Sequence, residues 1–189
     1  MKKVFGRCFN ALLILALTFA LCPVMETMAE EDPSVYIMEG TVITGYTGAG
    51  GDITLPATAT AVADYAFAGN ASISSVVIPA NITSVGSYCF SGCTGLTSAV
   101  FSGAVSLGGG AFYGCSALGY VELPAGLAAI ASETFDGCSS LASISIPEGV
   151  SSIGAQAFNG CGSLGSIGIP STVTEIGSSA LIIVLDCLR

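Results

Sequence analysis

The chain has 189 residues, with 4 Lys+Arg against 13 Asp+Glu and no His, and a formal net charge of −9. So acidic a chain repels phosphate backbones and anionic membrane surfaces, which excludes nucleic acid as a partner. With no histidine, and lysine confined to Lys2 and Lys3, the usual bases that activate a Ser or Cys nucleophile are missing from the rest of the chain.

The elements begin with Lys2, Lys3 and Arg7, an apolar run from Ala11 to Leu21, and the small residues of Thr27-Met28-Ala29. This order predicts a secretory signal peptide over residues 1–29. The run is too short to cross a hydrocarbon core of roughly 30 Å as a helix, so no membrane insertion is expected after cleavage. Leu21, standing just before Cys22 where a small residue is needed, argues against lipidation. Beyond residue 29, twelve acids face Arg189 alone, a net charge of −11. Solubility accounts for such a charge, and it also leaves a cationic protein surface or a neutral glycan as a compatible partner.

Residues 30–52 read as an acidic leader, Glu30-Glu31-Asp32, followed by two β-prone runs about Glu39-Gly40. The runs are Val35-Tyr36-Ile37-Met38 and Thr41-Val42-Ile43-Thr44. They predict a β-hairpin that caps the segment beginning at Ile53.

From Ile53 onward the chain repeats. Phe67, Phe90, Phe112, Phe135 and Phe158 are 23, 22, 23 and 23 residues apart, a period that specifies a solenoid. Each repeat opens on an apolar–outward–apolar triplet: Ile53-Thr54-Leu55, Val76-Val77-Ile78, Ala99-Val100-Phe101, Val121-Glu122-Leu123, Ile144-Ser145-Ile146 and Ile167-Gly168-Ile169. The two-residue strand period turns the outer members inward and the middle ones to solvent. Pro56, Pro79, Pro124, Pro147 and Pro170 end the ladders by lacking an N–H, while Ser102 takes that place in the short repeat. A second apolar column follows at Val62, Val85, Leu107, Ile130, Ile153 and Ile176, then a small residue with Phe. Leu96, Leu118, Leu141 and Leu164, with Ile73 in the first repeat, complete each turn. One turn alone cannot bury enough apolar surface to offset its ordering, and stacked turns can.

Residues 144–164, from Ile144-Ser145-Ile146-Pro147 through Ile153-Gly154 and Ala157-Phe158 to Cys161 and Leu164, resemble the BspA-type (Treponema pallidum-type) leucine-rich repeat. The resemblance covers 53–181 as five full repeats and a partial sixth. It implies a right-handed leucine-rich repeat superhelix of about 23-residue turns with one short β-strand per turn. It also implies an extracellular or surface-exposed protein that binds host matrix proteins or other cells, and no enzyme. In the sixth repeat Leu181 stands at the Phe position and an apolar tail, 182–189, follows. That tail is either a poor cap or the end of a shortened chain, and an exposed end of this kind would allow end-to-end self-association.

Cys93, Cys115, Cys138 and Cys161 fall in one column, where Asn70 stands in the first repeat. In leucine-rich patterns this place is held by Asn or Cys turned inward to the backbone. The column therefore reads as a structural ladder with Asn70 buried, rather than as a disulfide or zinc site, and Cys89 reads as simple packing. No metal or cofactor is expected. The sequons at Asn70 and Asn81 would matter only in a eukaryotic host.

The expected binding face is the solvent side of the triplets. Tyr120 and Glu122 are the only large groups there, beside a Val77–Val100 step expected to be exposed, and tyrosine offers wide contact area at low entropy cost. The alternative is a plain solvated sheet. Glu122 and Glu133 fall on different walls, with Asp136 near Glu133 on the convex side, so no carboxylate pair is placed for glycoside hydrolysis. The expected activity is protein–protein interaction or adhesion. A structural spacer and, more weakly, glycan binding through Tyr120 and Glu122 are the alternatives.

Overall fold

The computed structural model describes residues 33–182, so the expected signal peptide and most of the apolar tail lie outside the described residues. A single 3-10 turn, Pro33–Val35, leads into β1 (Tyr36–Glu39) and β2 (Val42–Tyr46), an antiparallel hairpin turning at Gly40 with φ +62. Each subsequent turn then contributes to two walls. The first gives β3 (Gly51–Thr54) and β4 (Ala61–Val62), the second β5 (Ile73–Ile78) and β6 (Ser84–Val85), the third β7 (Ser98–Phe101) and β8 (Ser106–Leu107). The fourth gives β9 (Tyr120–Glu122) and β10 (Ala129–Ile130), and the last two contribute β11 (Ser152–Ile153) and β12 (Glu175–Ile176). The solenoid expected from the phenylalanine spacing is thus the fold.

On the first wall β3, β5, β7 and β9 pair in parallel, with Asp52, Ser75, Ser98 and Tyr120 in one row and Thr54, Val77, Val100 and Glu122 in the next. The sheet ends at β9. The last two triplets form no strand, only one bridge between Ser145 and Gly168, although Ile144 and Ile146 are buried as the pattern requires. Serine and glycine on the outward side give these rungs little cross-strand packing.

The second apolar column is itself a line of two-residue parallel strands, an addition to the one strand per turn anticipated. The capping hairpin belongs to this wall, with β2 pairing β4 at Val42–Ala61 and Ile43–Val62. Its sheet runs β1-β2-β4-β6-β8 and then stops, and β10-β11-β12 form a separate sheet. The break follows the short repeat, whose missing residue lies in the connector between Ser102 and Leu107. There Ser106 takes the bond to the Thr83 carbonyl at 3.0 Å, one position later than its counterparts Thr83, Ser151 and Thr174. An apolar groove of about 390 Å³, lined by Val105, Leu107, Leu127 and Ala129 among others, opens at this break.

Between the walls the side chains stack turn on turn. Phe90, Phe112, Phe135 and Phe158 are fully buried, and successive rings from Phe67 lie 4.9, 5.5, 5.7 and 5.4 Å apart, nearly parallel. A residue in the left-handed region stands two positions before each Phe: Tyr65, Tyr88, Gly110, Glu133 and Gln156, with Ser179 continuing the column. Non-glycine residues rarely hold φ near +60°. Rung-to-rung bonds hold them, from Tyr65 N–H to Ser87 O at 3.0 Å and from Tyr88 N–H to Gly109 O at 2.9 Å, and likewise onward. In the last described turn Ile176, expected in the second apolar column, is 49 % exposed.

Candidate functional site

The first wall holds the residues expected to bind. Pairing places Val77, Val100 and Glu122 side by side on β5, β7 and β9, while Tyr120 sits in the neighbouring row beside Ser98. Tyr120 is 54 % exposed and Glu122 is exposed, but the Val77–Val100 step is half-buried rather than exposed, because strands pair on both sides of each valine. The Tyr120 hydroxyl donates to Glu122 Oε2 at 3.4 Å, which draws the ring along its own strand. The four residues therefore form one contiguous patch. Beyond Tyr120, where the sheet ends, a hollow of about 380 Å³ lies between Tyr120, Glu122, Ser143, Ser145 and Pro147. Opposite it the face is polar, with Ser75 donating to Asp52 at 2.7 Å.

The four column cysteines point inward as donors. Cys93, Cys115, Cys138 and Cys161 donate to the carbonyls of Phe67, Phe90, Phe112 and Phe135 at 3.1, 3.0, 3.2 and 3.2 Å. Burial pushes the Cys93 thiol up to about 11 and Cys161 up to about 12, and raises Cys115 and Cys138 further. All are free thiols, as is the buried Cys89. Such protonated thiols are poor nucleophiles and metal ligands. Among the described residues no group of His, Cys, Asp or Glu is arranged to hold a metal ion.

Asn70 departs from its expected role. It is half-buried rather than buried, and its Oδ1 accepts the Ser72 N–H at 3.0 Å, closing a local Asx turn. Asparagine's longer side chain finds a nearby donor at the first turn, where no earlier Phe carbonyl of the repeat lies beneath it.

A second cluster is not visible in the repeat pattern. Tyr65 and Tyr88, in the left-handed column, stack with ring centroids 5.4 Å apart and 6° between planes. Tyr113, one residue after its Phe, meets Tyr88 edge-on at 6.0 Å. The Tyr88 hydroxyl donates to Glu133 Oε2 at 2.6 Å. That bond, with burial and the Glu133 charge behind it, pushes the Tyr88 phenol up to about 12. Asp136 lies close by and accepts from Asn159 Nδ2 at 2.9 Å. Aligning the repeats on their phenylalanines puts Tyr65, Tyr88, Gly110 and Glu133 in one column, and that alignment is the signal that would have found the cluster.

Taken together, stacked parallel rungs, an inward apolar column, a cysteine ladder and an exposed short-strand face define a leucine-rich repeat solenoid. Residues 60–182 match the model of the BspA type leucine rich repeat region in 6 copies. The chain belongs to this family. It is similar to the leucine-rich repeat protein of T. pallidum, with 27% identity, a TM-score of 0.70, and coverage of 78% of this chain and 81% of that one. A leucine-rich repeat protein from Bacteroides ovatus shares 32% identity over 73% of this chain, with a TM-score of 0.65. A leucine rich cell surface protein from Faecalibacterium prausnitzii shares 29% identity over 79% of this chain, with a TM-score of 0.63. The chain spans 37% of the Bacteroides protein and 50% of the Faecalibacterium one. Among curated proteins none matches. No helix of the described residues is long and apolar enough to cross a membrane.

Proposed function

We propose that this chain is a secreted or cell-surface interaction module that adheres to an extracellular protein or to a ligand on host or neighbouring cells. The observation that carries the reading is the first-wall patch of Val77, Val100, Tyr120 and Glu122, in which a tyrosine half in solvent stands in the row next to a Val77–Val100–Glu122 row of one paired sheet. Tyrosine on a preordered backbone loses little entropy on contact, which suits it to anchor a partner. Family membership supports repeat-mediated protein binding, and the name of the Faecalibacterium protein supports the cell surface. The family's repeat scaffold and the free, buried thiols, which are poor nucleophiles, favour a scaffold over an enzyme.

The test is binding of the purified chain to a panel of matrix proteins, whole cells and glycans at two salt concentrations, after a cooperative melt has been recorded. Saturable binding to a protein, lost on changing Tyr120, Val77 and Val100 to Ser with the melt unchanged, supports the reading. Binding that the triple variant retains would sink it. Saturable sugar binding that Glu122→Gln weakens would move the function to glycan recognition.

A second reading is favoured by the last turn, where Ile169, Ile176 and Ile182 are 38 %, 49 % and 47 % exposed. Apolar side chains exposed on the last described turn suit a spacer that docks on further repeats or on a second copy end to end. Sedimentation of the purified chain separates the cases, since concentration-dependent association abolished by Ile176→Ser supports docking through this end and a monomer at all concentrations does not.

A further inference from the structure

The tyrosine cluster is built in a way that the first-wall patch is not. Tyr65 is 60 % exposed and Tyr113 43 % exposed, yet both rings are held, Tyr65 flat against Tyr88 and Tyr113 edge-on to it. Tyr88 in turn is tied through its hydroxyl to Glu133, 45 residues away. This surface is therefore preordered over three successive turns, the condition under which exposed aromatic faces add most to binding.

Charge decides what would occupy it. Residues 33–182 contain eight acids and no Lys or Arg at all. The carboxylates at the cluster are satisfied only by neutral donors: Glu133 by the Tyr88 hydroxyl, Asp136 by the Asn159 amide, and nearby Asp64 by the Ser87 N–H at 2.7 Å. Burial raises the Asp136 carboxyl above its ordinary value and the charge on Glu133 adds to the rise, partly offset by Asn159. Two adjoining carboxylates that repel one another with no cation among the described residues, edged by open aromatic faces, complement a planar cation. Guanidinium fits better than ammonium because it stacks on an aromatic face and donates bidentately to a carboxylate.

We propose that Tyr65, Tyr88, Tyr113, Glu133 and Asp136 form a second docking surface, which receives an arginine-bearing segment of a protein partner. Guanidinium groups lie on the open faces of Tyr65 and Tyr113 while the carboxylates take their N–H donors. The surface is separate in the fold from the first-wall strands, so either face can fail without the other.

The test uses the full chain and two probes, an oligo-arginine peptide and the same peptide built with citrulline, which keeps the shape and loses the charge. The chain has no tryptophan, so tyrosine fluorescence reports occupancy directly. The arginine peptide is expected to bind and the citrulline peptide not, with affinity falling as salt rises. The double variant Tyr65→Asn with Tyr113→Ser is expected to bind about tenfold more weakly. Asparagine is chosen because it tolerates the left-handed backbone that Tyr65 occupies at φ 59. If the double variant melts early, Tyr113→Ser alone carries the test, because Tyr113 is free of that constraint. Equal affinity in the wild type and in the folded tyrosine variants would mean diffuse attraction to an acidic chain and would overturn the proposal. Loss confined to Tyr120→Ser would overturn it by placing the peptide on the first wall. A neutral oligosaccharide that binds through Tyr65 and Tyr113, with no arginine peptide bound, would overturn it in favour of a sugar site.

Discussion

Tyr88 donates its hydroxyl to Glu133 Oε2 at 2.6 Å, crossing an entire intervening turn to do so. The ring passes over Gly110, where an added Cβ would lie 2.3 Å from Tyr88 Cε1. The short third repeat thus presents glycine at the one place in its column where a side chain would block a contact between the second and fourth turns. This bond fixes the orientation of the ring on which both Tyr65 and Tyr113 rest.

The bond makes a titration prediction. The Tyr88 phenol moves from 10.0 to about 12, with the hydrogen bond to Glu133 as the largest cause. A pKa raised by folding means that the neutral phenol is the form the fold stabilises. Its contribution is therefore complete below pH 10 and is lost as pH rises through about 12. Followed by tyrosinate absorbance, Tyr88 should contribute a late phase near pH 12. Tyr88→Phe should reduce that late phase by one tyrosine and Glu133→Gln should shift the Tyr88 part of it down; a late phase of unchanged amplitude in Tyr88→Phe would refute the assignment.

Gly110→Ala should cost about 1–2 kcal/mol, since the residue has φ +63 and the left-handed region penalises a Cβ by that amount. It should also push the Tyr88 ring away and bring its ionisation back toward that of an ordinary tyrosine. A denaturant melt combined with the same absorbance titration measures both.

Ser102→Pro restores the residue that the other repeats carry, and it should nevertheless destabilise. The Ser102 N–H donates to Ile78 O at 2.9 Å, and proline cannot. The net loss of one backbone bond is about 1 kcal/mol, read as a lower denaturation midpoint at unchanged slope. A variant as stable as the wild type would show that this bond contributes nothing.

The cysteine column should be silent to alkylating reagents in the folded chain and fully reactive in denaturant, because burial holds each thiol protonated. Cys138→Ala removes the donor to Phe112 O and leaves a void between stacked turns, for an expected loss of about 1–3 kcal/mol. Fast labelling of Cys93, Cys115, Cys138 or Cys161 in the native protein at neutral pH, located by peptide mapping, would contradict the buried ladder.

Much of this molecule is a consequence of periodicity alone. The recurrence of Phe67, Phe90, Phe112, Phe135 and Phe158 specifies the solenoid, because a side chain repeated every 23 residues can be buried only by its own copies above and below. The triplets as far as Ile146, the cysteine ladder and the row of Val77, Val100 and Glu122 follow from the same register and lie as it requires, while in the last triplet Ile167 is only half-buried and Ile169 is exposed. Other features depend on exchange between turns, which a pattern read along one chain does not contain. The two-residue strands of the second wall carry too little alternation to be seen as strands until β2 and β4 are side by side. The loss of the first sheet after β9 and the broken second sheet after Leu107 are set by what lies within reach in the next rung, whereas Asn70 turns instead to the local donor of Ser72. Tyr88 and Glu133 belong to different turns and different chemistries. Sequence determined the scaffold because burial is periodic, and tertiary structure alone joined those two side chains because a hydrogen bond depends on distance across turns.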